Sequence, residues 1–367
     1  MTAELFDLTP TEEQRMMRES LQRFAVTEMA PIARQADDDG EIPADIYAQI
    51  HELGLHMLPV PENLGGAGMG RSPIANVLNT EDLAHGDMAM AIGALSTLSY
   101  VNVLLDYGTD AQQELLLPPI MEDASVIGTI AFMEPRATFD PQALQTTAVE
   151  AEGGYIINGA KSMVVRAMSA HRVLVFATLD DGSTGGFIVE PKMDGMSLKR
   201  EKTMGLCGLE MYTLTFEDLK VEPSALLGDG PLDMQRFIDL GRLGSCALSI
   251  GVCQAVLDYV VPYCNDREAF GEPITNRQAV AFMIADMATE LEGMRLATWR
   301  AVSRAEQGME FHREAYLART LCSEQAMQIG TNGVQLLGGH GFTHEHPVEL
   351  WYRNLRAIGL LEGTLVV

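Results

Sequence analysis

The hydrophobic period of this chain changes twice, and no single residue limits its possible folds as much. Over residues 9–117 the apolar positions recur at helical spacing, Met16, Leu21, Phe24 and Ala25 among them. Thr9-Pro10-Thr11-Glu12 scans as a capping box with proline at the first helical position, and a second helix is expected over 42–53, stopping at Gly54. From 125 to 227 the period shortens to that of strands, at 126–132, 146–151, 155–157, 173–177, 187–189 and 213–216. Gly153-Gly154, Asn158-Gly159 and Asp181-Gly182 scan as the turns between them, so a small antiparallel β domain is expected. After Pro231 long helical patterns return at 234–263, 277–307 and 311–337. Helices, strands, helices is an α+β order, with domains expected at 1–120, 121–228 and 229–367.

A chain of 367 residues is long enough to bury a large core, and 47% of it is hydrophobic. Asp and Glu number 51 against 25 Lys and Arg, a net charge of −26 that argues against nucleic acid or an anionic membrane as partner. The longest uncharged run, 88–105, contains Gly93, Ser96, Thr97, Ser99 and Asn102, which marks a buried core helix and no membrane span. Five widely spaced cysteines, Cys207, Cys246, Cys253, Cys264 and Cys322, form no metal or redox pair. With a Met-Thr-Ala-Glu start that lacks signal-peptide character, they point to reduced thiols in a cytoplasm. The glycine-rich stretch 64–70 reads as a loop, because no strand precedes it to make a phosphate cradle.

Chemistry concentrates near the end of the sequence. Gln335-Leu336-Leu337-Gly338-Gly339-His340-Gly341-Phe342 is a glycine-broken helix end, and Leu361-Glu362-Gly363-Thr364 sets one carboxylate in apolar company. A carboxylate there is by default a solvated residue. Held in an apolar setting it would instead be a base, with Gly363 letting ligand and backbone approach closely. His340, His344 and His346 with Glu345 and Glu349 have spacings that could ligate zinc, but they read better as a polar loop before Pro347, with no metal.

With these segments in view, the sequence resembles the flavin-dependent acyl-CoA dehydrogenases over essentially its whole length. Pro61-Glu62-Asn63-Leu64-Gly65-Gly66-Ala67-Gly68 is similar to the family's early Gly-Gly loop. Gly205-Leu206-Cys207-Gly208 with Phe216-Glu217-Asp218-Leu219-Lys220-Val221 is similar to its exit from the β domain. Asp266-Arg267-Glu268-Ala269-Phe270-Gly271-Glu272-Pro273-Ile274 with Gln278, and the Glu-Gly-Thr segment, complete the match.

The resemblance implies a helical N-terminal domain, a middle barrel-like β domain, a C-terminal four-helix bundle, and FAD bound across a subunit interface of a homodimer or homotetramer. It implies Glu362 as the base that takes the α-proton of an acyl-CoA thioester, with its own N–H helping to polarise the carbonyl and FAD taking the β-hydride. Gly241 stands where some members carry their base instead, which leaves Glu362 as the candidate. Arg267, Phe270, Ile274, Gln335, Leu336 and Gly339 would hold a neighbour's cofactor. Met133, Met163, Val165 and Thr364 would face the chain's own flavin ring, and Asp239 and Arg242 the adenine end of CoA. Here the chain departs from the pattern: Met133-Glu134-Pro135 precedes Thr138-Phe139-Asp140, and Met163-Val164-Val165 replaces a Trp-Ile-Thr run, so backbone N–H groups are expected to supply what these side chains do not. Only Leu365-Val366-Val367 follow, where the family usually continues with a helix. The wider implication is a fatty acid or lipid catabolic enzyme that passes electrons to an electron-transfer flavoprotein or another acceptor. A heteromer sharing FAD sites with a paralogue, in which this chain is non-catalytic or half-catalytic, is the alternative. Residues 88–100 are expected to wall the acyl pocket.

Overall fold

A computed structural model describes residues 10–367. The N-terminal helices are α1 (Glu12–Phe24), α2 (Ala33–Asp39), α3 (Ala44–Glu52), α4 (Pro73–Gly86), α5 (Met88–Tyr107) and α6 (Asp110–Glu122). Thr11, and not Thr9, caps α1: its hydroxyl accepts from Gln14 N–H while the Gln14 side chain accepts from Thr11 N–H. Pro10 therefore precedes the cap, and Thr9 lies outside the described residues. The glycine-rich stretch is a loop, and Gly66 is obligatory in it, since a Cβ there would sit 2.0 Å from the Val60 carbonyl oxygen.

The uncharged run forms α5, capped by Asp87, whose carboxylate accepts from Met90 N–H at 2.8 Å. Complete burial pushes the Asp87 carboxyl up to about 7. Both α5 and α7 (Met234–Asp266) are long and apolar enough to cross a membrane, and both are mostly buried in the protein core. Arg18 of α1 meets Asp82 of α4 at 2.8 Å, and Arg295 meets Glu81 at 2.9 Å, so charged pairs tie the first helices to the C-terminal ones.

Seven strands make the middle sheet: β1 (Gly128–Ala131), β2 (Thr147–Ala151), β3 (Gly154–Val165), β4 (Arg172–Thr178), β5 (Thr184–Val189), β6 (Met196–Arg200) and β7 (Met211–Val221). Their order is β1-β4-β2-β3-β7-β6, with β5 on β4. The sheet is not purely antiparallel, because β4 pairs in parallel with both β1 and β2. Nor is Asn158-Gly159 a turn. It lies inside β3 as a bulge, where Gly159 (φ +138°) passes so close to Thr146 that a Cβ would lie 2.7 Å from its Cα. β6 escaped the sequence pattern because its residues are half or fully exposed and show no apolar alternation.

In the C-terminal region α7, α8 (Gln278–Glu306) and α9 (His312–Leu337) pack on one another, with the short α10 (Val348–Leu355) against α9. A two-stranded hairpin, β8 (Glu268–Ala269) and β9 (Glu272–Pro273), links α7 to α8. One hydrophobic core runs through both helical regions, and a second lies under the sheet.

The loop from β1 to β2 is fixed by a buried ion pair. Lys161 Nζ donates to Glu134 Oε1 and to the Phe132 carbonyl, each at 3.1 Å, and the Glu134 carboxylate also accepts from Gln145 and Thr146 N–H. Burial lowers the Lys161 ammonium from 10.5 to about 8, against the pull of Glu134. Between those values the unfolded chain keeps the proton that the folded chain has released, so stability from this group rises with pH across the window. Lys161→Met should cost about 3–5 kcal/mol in urea unfolding near pH 7, because it strands a buried carboxylate. The same variant should lose the rise in stability between pH 8 and 10.5.

Candidate active site

α10 ends in a 3-10 turn, Arg356–Gly359, and the chain then enters the space between the sheet and α7. Arg319 of α9, only 8% exposed, anchors the entry by donating from Nη2 to the Leu361 carbonyl at 2.8 Å. Gly363 follows Glu362 in a left-handed conformation (φ +63°); a Cβ on it would sit 2.5 Å from the Phe132 ring, and its Cα lies 3.1 Å from where a Cβ on Gly241 would be. Glycine is therefore needed on both sides of this contact.

Glu362 is not the bare carboxylate in apolar company that the sequence implies. Arg242 Nε lies 3.6 Å from its Oε2 and Arg319 Nη2 lies 3.9 Å from its Oε1, with the Glu362 side chain 19% exposed. Leu361 beside it is buried and Leu360 exposed, and α7 and α9 bring in both guanidinium groups from far along the chain. Glu362 Oε2 is nonetheless buried without a hydrogen-bond donor. Glu362 N–H points at Met133 Sδ, 3.3 Å away.

Asp239 lies one turn before Arg242 on α7 and is 1% exposed. It accepts from Gln235 at 3.0 Å, meets His312 Nδ1 at 3.0 Å and Arg242 at 3.4 Å. Burial pushes its carboxyl up, and the bonds to Gln235 and His312 oppose that. Arg242 thus reaches from Asp239 to the candidate base itself.

Met133 reaches Glu362, and Thr364 is half-buried in the same turn. Val165 is buried and its carbonyl accepts from Thr129 Oγ1 at 2.7 Å. Met163 has φ +56°, and its N–H donates to Glu201 Oε1 at 2.9 Å. That carboxylate also takes Ser162 and Thr213 hydroxyls, so the Met163 N–H is spent within the protein and is not left for a flavin.

The remaining candidates lie at the other end of α7. Arg267 caps α7 and is exposed, with no ion pair among the described residues. Phe270 at the hairpin tip is 94% exposed, with the Arg277 guanidinium 5.0 Å from its ring centre, while Ile274 packs on the core. Gln335 is exposed, Leu336 buried and Gly339 open to its surroundings at the end of α9, and Tyr263 hydroxyl bonds His340 at 2.8 Å to join the two helix ends. His340 and His346 stack on each other, His346 meets the Tyr259 hydroxyl at 2.7 Å, His344 is exposed, and Glu349 is taken by Arg34 and Arg353. From Gly241 to Arg267 is 26 residues of helix, about 39 Å, too long for one dinucleotide to touch both ends within one chain.

Three family models of the acyl-CoA dehydrogenases match in series: the N-terminal domain over residues 11–124, the middle domain over 129–219 and the C-terminal domain over 228–367. The chain belongs to the acyl-CoA dehydrogenase family. It is 34% identical over 362 residues to the short-chain specific acyl-CoA dehydrogenase of Bos taurus mitochondria, covering 96% of this chain and 87% of that protein. It is 33% identical over 365 residues to the caffeyl-CoA reductase-Etf complex subunit CarC of Acetobacterium woodii, covering 96% and 95%. The butyryl-CoA dehydrogenase of Megasphaera elsdenii has the same fold, with a TM-score of 0.88 and 29% identity over 97% of this chain and 95% of that one.

As an acyl-CoA dehydrogenase the protein is an FAD-dependent oxidoreductase. Its residues fit that cofactor unevenly. An unpaired Arg267 with exposed Phe270 and Gln335 is suited to an anionic, aromatic ligand, whereas Met133, Met163 and Val165 offer a ring mostly apolar contact.

Arg319 escaped the sequence reading although a signal exists. It sits in the α9 stripe of Ala315, Ala318 and Cys322, all buried, where an arginine needs a buried partner. Gly363→Ala should destabilise the protein by about 1–3 kcal/mol in urea unfolding, because its Cβ has no room beside Phe132.

Proposed function

We propose that this acyl-CoA dehydrogenase uses Glu362 to remove the α-proton of an acyl-CoA thioester. The observation that carries the reading is the buried Oε2 of Glu362, which has no hydrogen-bond donor among the described residues while two guanidinium groups hold the carboxylate in place. A buried acceptor left open is ready for a proton from substrate. FAD, when bound, accepts the hydride from the β-carbon.

Glu362 N–H is held only by a thioether sulfur, a weak acceptor, and a thioester carbonyl oxygen would bind it better. Arg242 and Arg319 fix where the carboxylate points, and Arg319 also fixes the backbone before it. Asp239 and His312 steady Arg242 on the solvent side, where His312 is 46% exposed.

Arg267, Phe270, Ile274, Gln335, Leu336 and Gly339 would hold the dinucleotide end of a partner copy's FAD. The length of α7 supports this division, as do exposed Phe282, Leu296, Tyr316 and Leu317 on α8 and α9, which suit association of copies. An electron-transfer flavoprotein is the acceptor we favour, given the relative in A. woodii that is part of an Etf complex. Five free cysteines agree with a cytoplasmic setting. A heteromer with a paralogue is the second reading, favoured by one observation: Met163 N–H is already bonded to Glu201 on the side where the ring would lie.

Glu362→Gln should keep its yellow FAD and lose bleaching by acyl-CoA, with the rate of flavin reduction down about 10²- to 10⁴-fold. Continued bleaching would remove Glu362 from the role. Arg267→Ala should bind FAD about 10- to 100-fold more weakly with helix content unchanged, read by fluorescence titration. Near one FAD per purified native chain supports the homo-oligomeric enzyme, and none without a different second chain supports the heteromer.

A further inference from the structure

Beyond Glu362 the chain runs into a crevice between α5 and α7. Leu365, Val366 and Val367 are 3%, 2% and 1% exposed there. Val366 N–H donates to Ser99 Oγ at 2.9 Å, and its carbonyl accepts from Asn102 Nδ2 at 2.8 Å. An oxygen of Val367 accepts from Arg71, which Asp106 holds at 3.3 Å. On the opposite wall Gly244 leaves room, since a Cβ on it would lie 2.2 Å from the Leu365 carbonyl oxygen.

The crevice is built for more than an apolar filling. Ser99 and Asn102 are buried polar residues of α5, and among the described residues Asn102 Oδ1 and Arg71 Nη1 are buried without hydrogen-bond partners. The CoA part of a thioester is large and charged and must stay toward solvent, on the side of Arg242, Asp239 and His312. With its α-carbon at Glu362, the acyl group then points inward along α7, toward Gly244. Leu365–Val367 already fill that space.

We propose that Leu365–Val367 is a plug in the acyl channel that sets which chain lengths this enzyme accepts. The inference rests on Glu362 being the base. Short acyl groups fit ahead of the plug, and longer ones have to displace it from Ser99 and Asn102.

The test compares the non-reactive thioethers butyl-CoA and octyl-CoA by calorimetry, on the FAD-loaded native chain and on a Leu365→Ala/Val366→Ala double variant. Native protein should bind butyl-CoA at least about tenfold more tightly than octyl-CoA, and the variant should narrow that ratio by about tenfold. Hydrogen exchange on the native chain covers the case of a misfolded variant: octyl-CoA should release the protection of residues 361–367, and butyl-CoA should not. Equal affinities in native protein with 361–367 still protected would overturn the plug. Anaerobic bleaching by butyryl-CoA and octanoyl-CoA separates the two claims. Bleaching at equal rates for both sinks the plug alone, whereas length-selective binding without bleaching sinks the catalytic role of Glu362 and supports the plug. Absence of binding to native and variant chains overturns both.

Discussion

One helix sets the distances in this protein. α7 runs for 33 residues, about 50 Å, and nearly every functional contact is measured from it. Its first third carries Asp239, Gly241, Arg242 and Gly244, which together seat the Glu362 segment. Its far end carries Arg267 and the β8–β9 hairpin. A long helix buried along most of its length does not bend enough to bring those ends together, so the two halves of the cofactor machinery face different places. On the function proposed above, that separation is what assigns the cofactor at Arg267 to a second chain.

The carboxylate at the near end shows why burial and charge have to be weighed together. An isolated carboxylate in a dry site is expensive, and the protein meets that cost with two guanidinium groups at 3.6 and 3.9 Å. Those distances exceed hydrogen-bond length, so the cations hold the group in place without occupying Oε2. The Glu134–Lys161 pair under the sheet is the contrasting case. There the carboxylate is fully spent on an ammonium and backbone N–H groups, which fixes a loop and leaves nothing for chemistry.

Much of the architecture was legible because long helices repeat their apolar positions many times. α5, α7, α8 and α9 lie within a few residues of where the periodicity puts them. Short-range signals served less well. Asn158-Gly159 carries the letters of a turn, yet β3 continues through it because a bulge also needs a glycine. β6 is too exposed to alternate. At the candidate site, motif likeness singles out Glu362 and Arg267, but Arg319, Ser99, Asn102 and Arg71 act through contacts spanning 42 to 296 residues of sequence. No local pattern encodes such a contact; only an arginine or asparagine on an otherwise apolar stripe hints that a partner awaits it.

The division of the site between two chains is most directly tested by mixing them. Glu362→Gln and Arg267→Ala chains, each impaired alone, are unfolded and refolded together with FAD and assayed for acyl-CoA-dependent flavin reduction. If Glu362 of one copy works with a cofactor held by Arg267 of another, mixed assemblies contain sites with both native residues, and activity returns. If mixing restores nothing while equally mixed native chains recover fully, the two residues serve one site within one chain, and the account built on α7 is wrong.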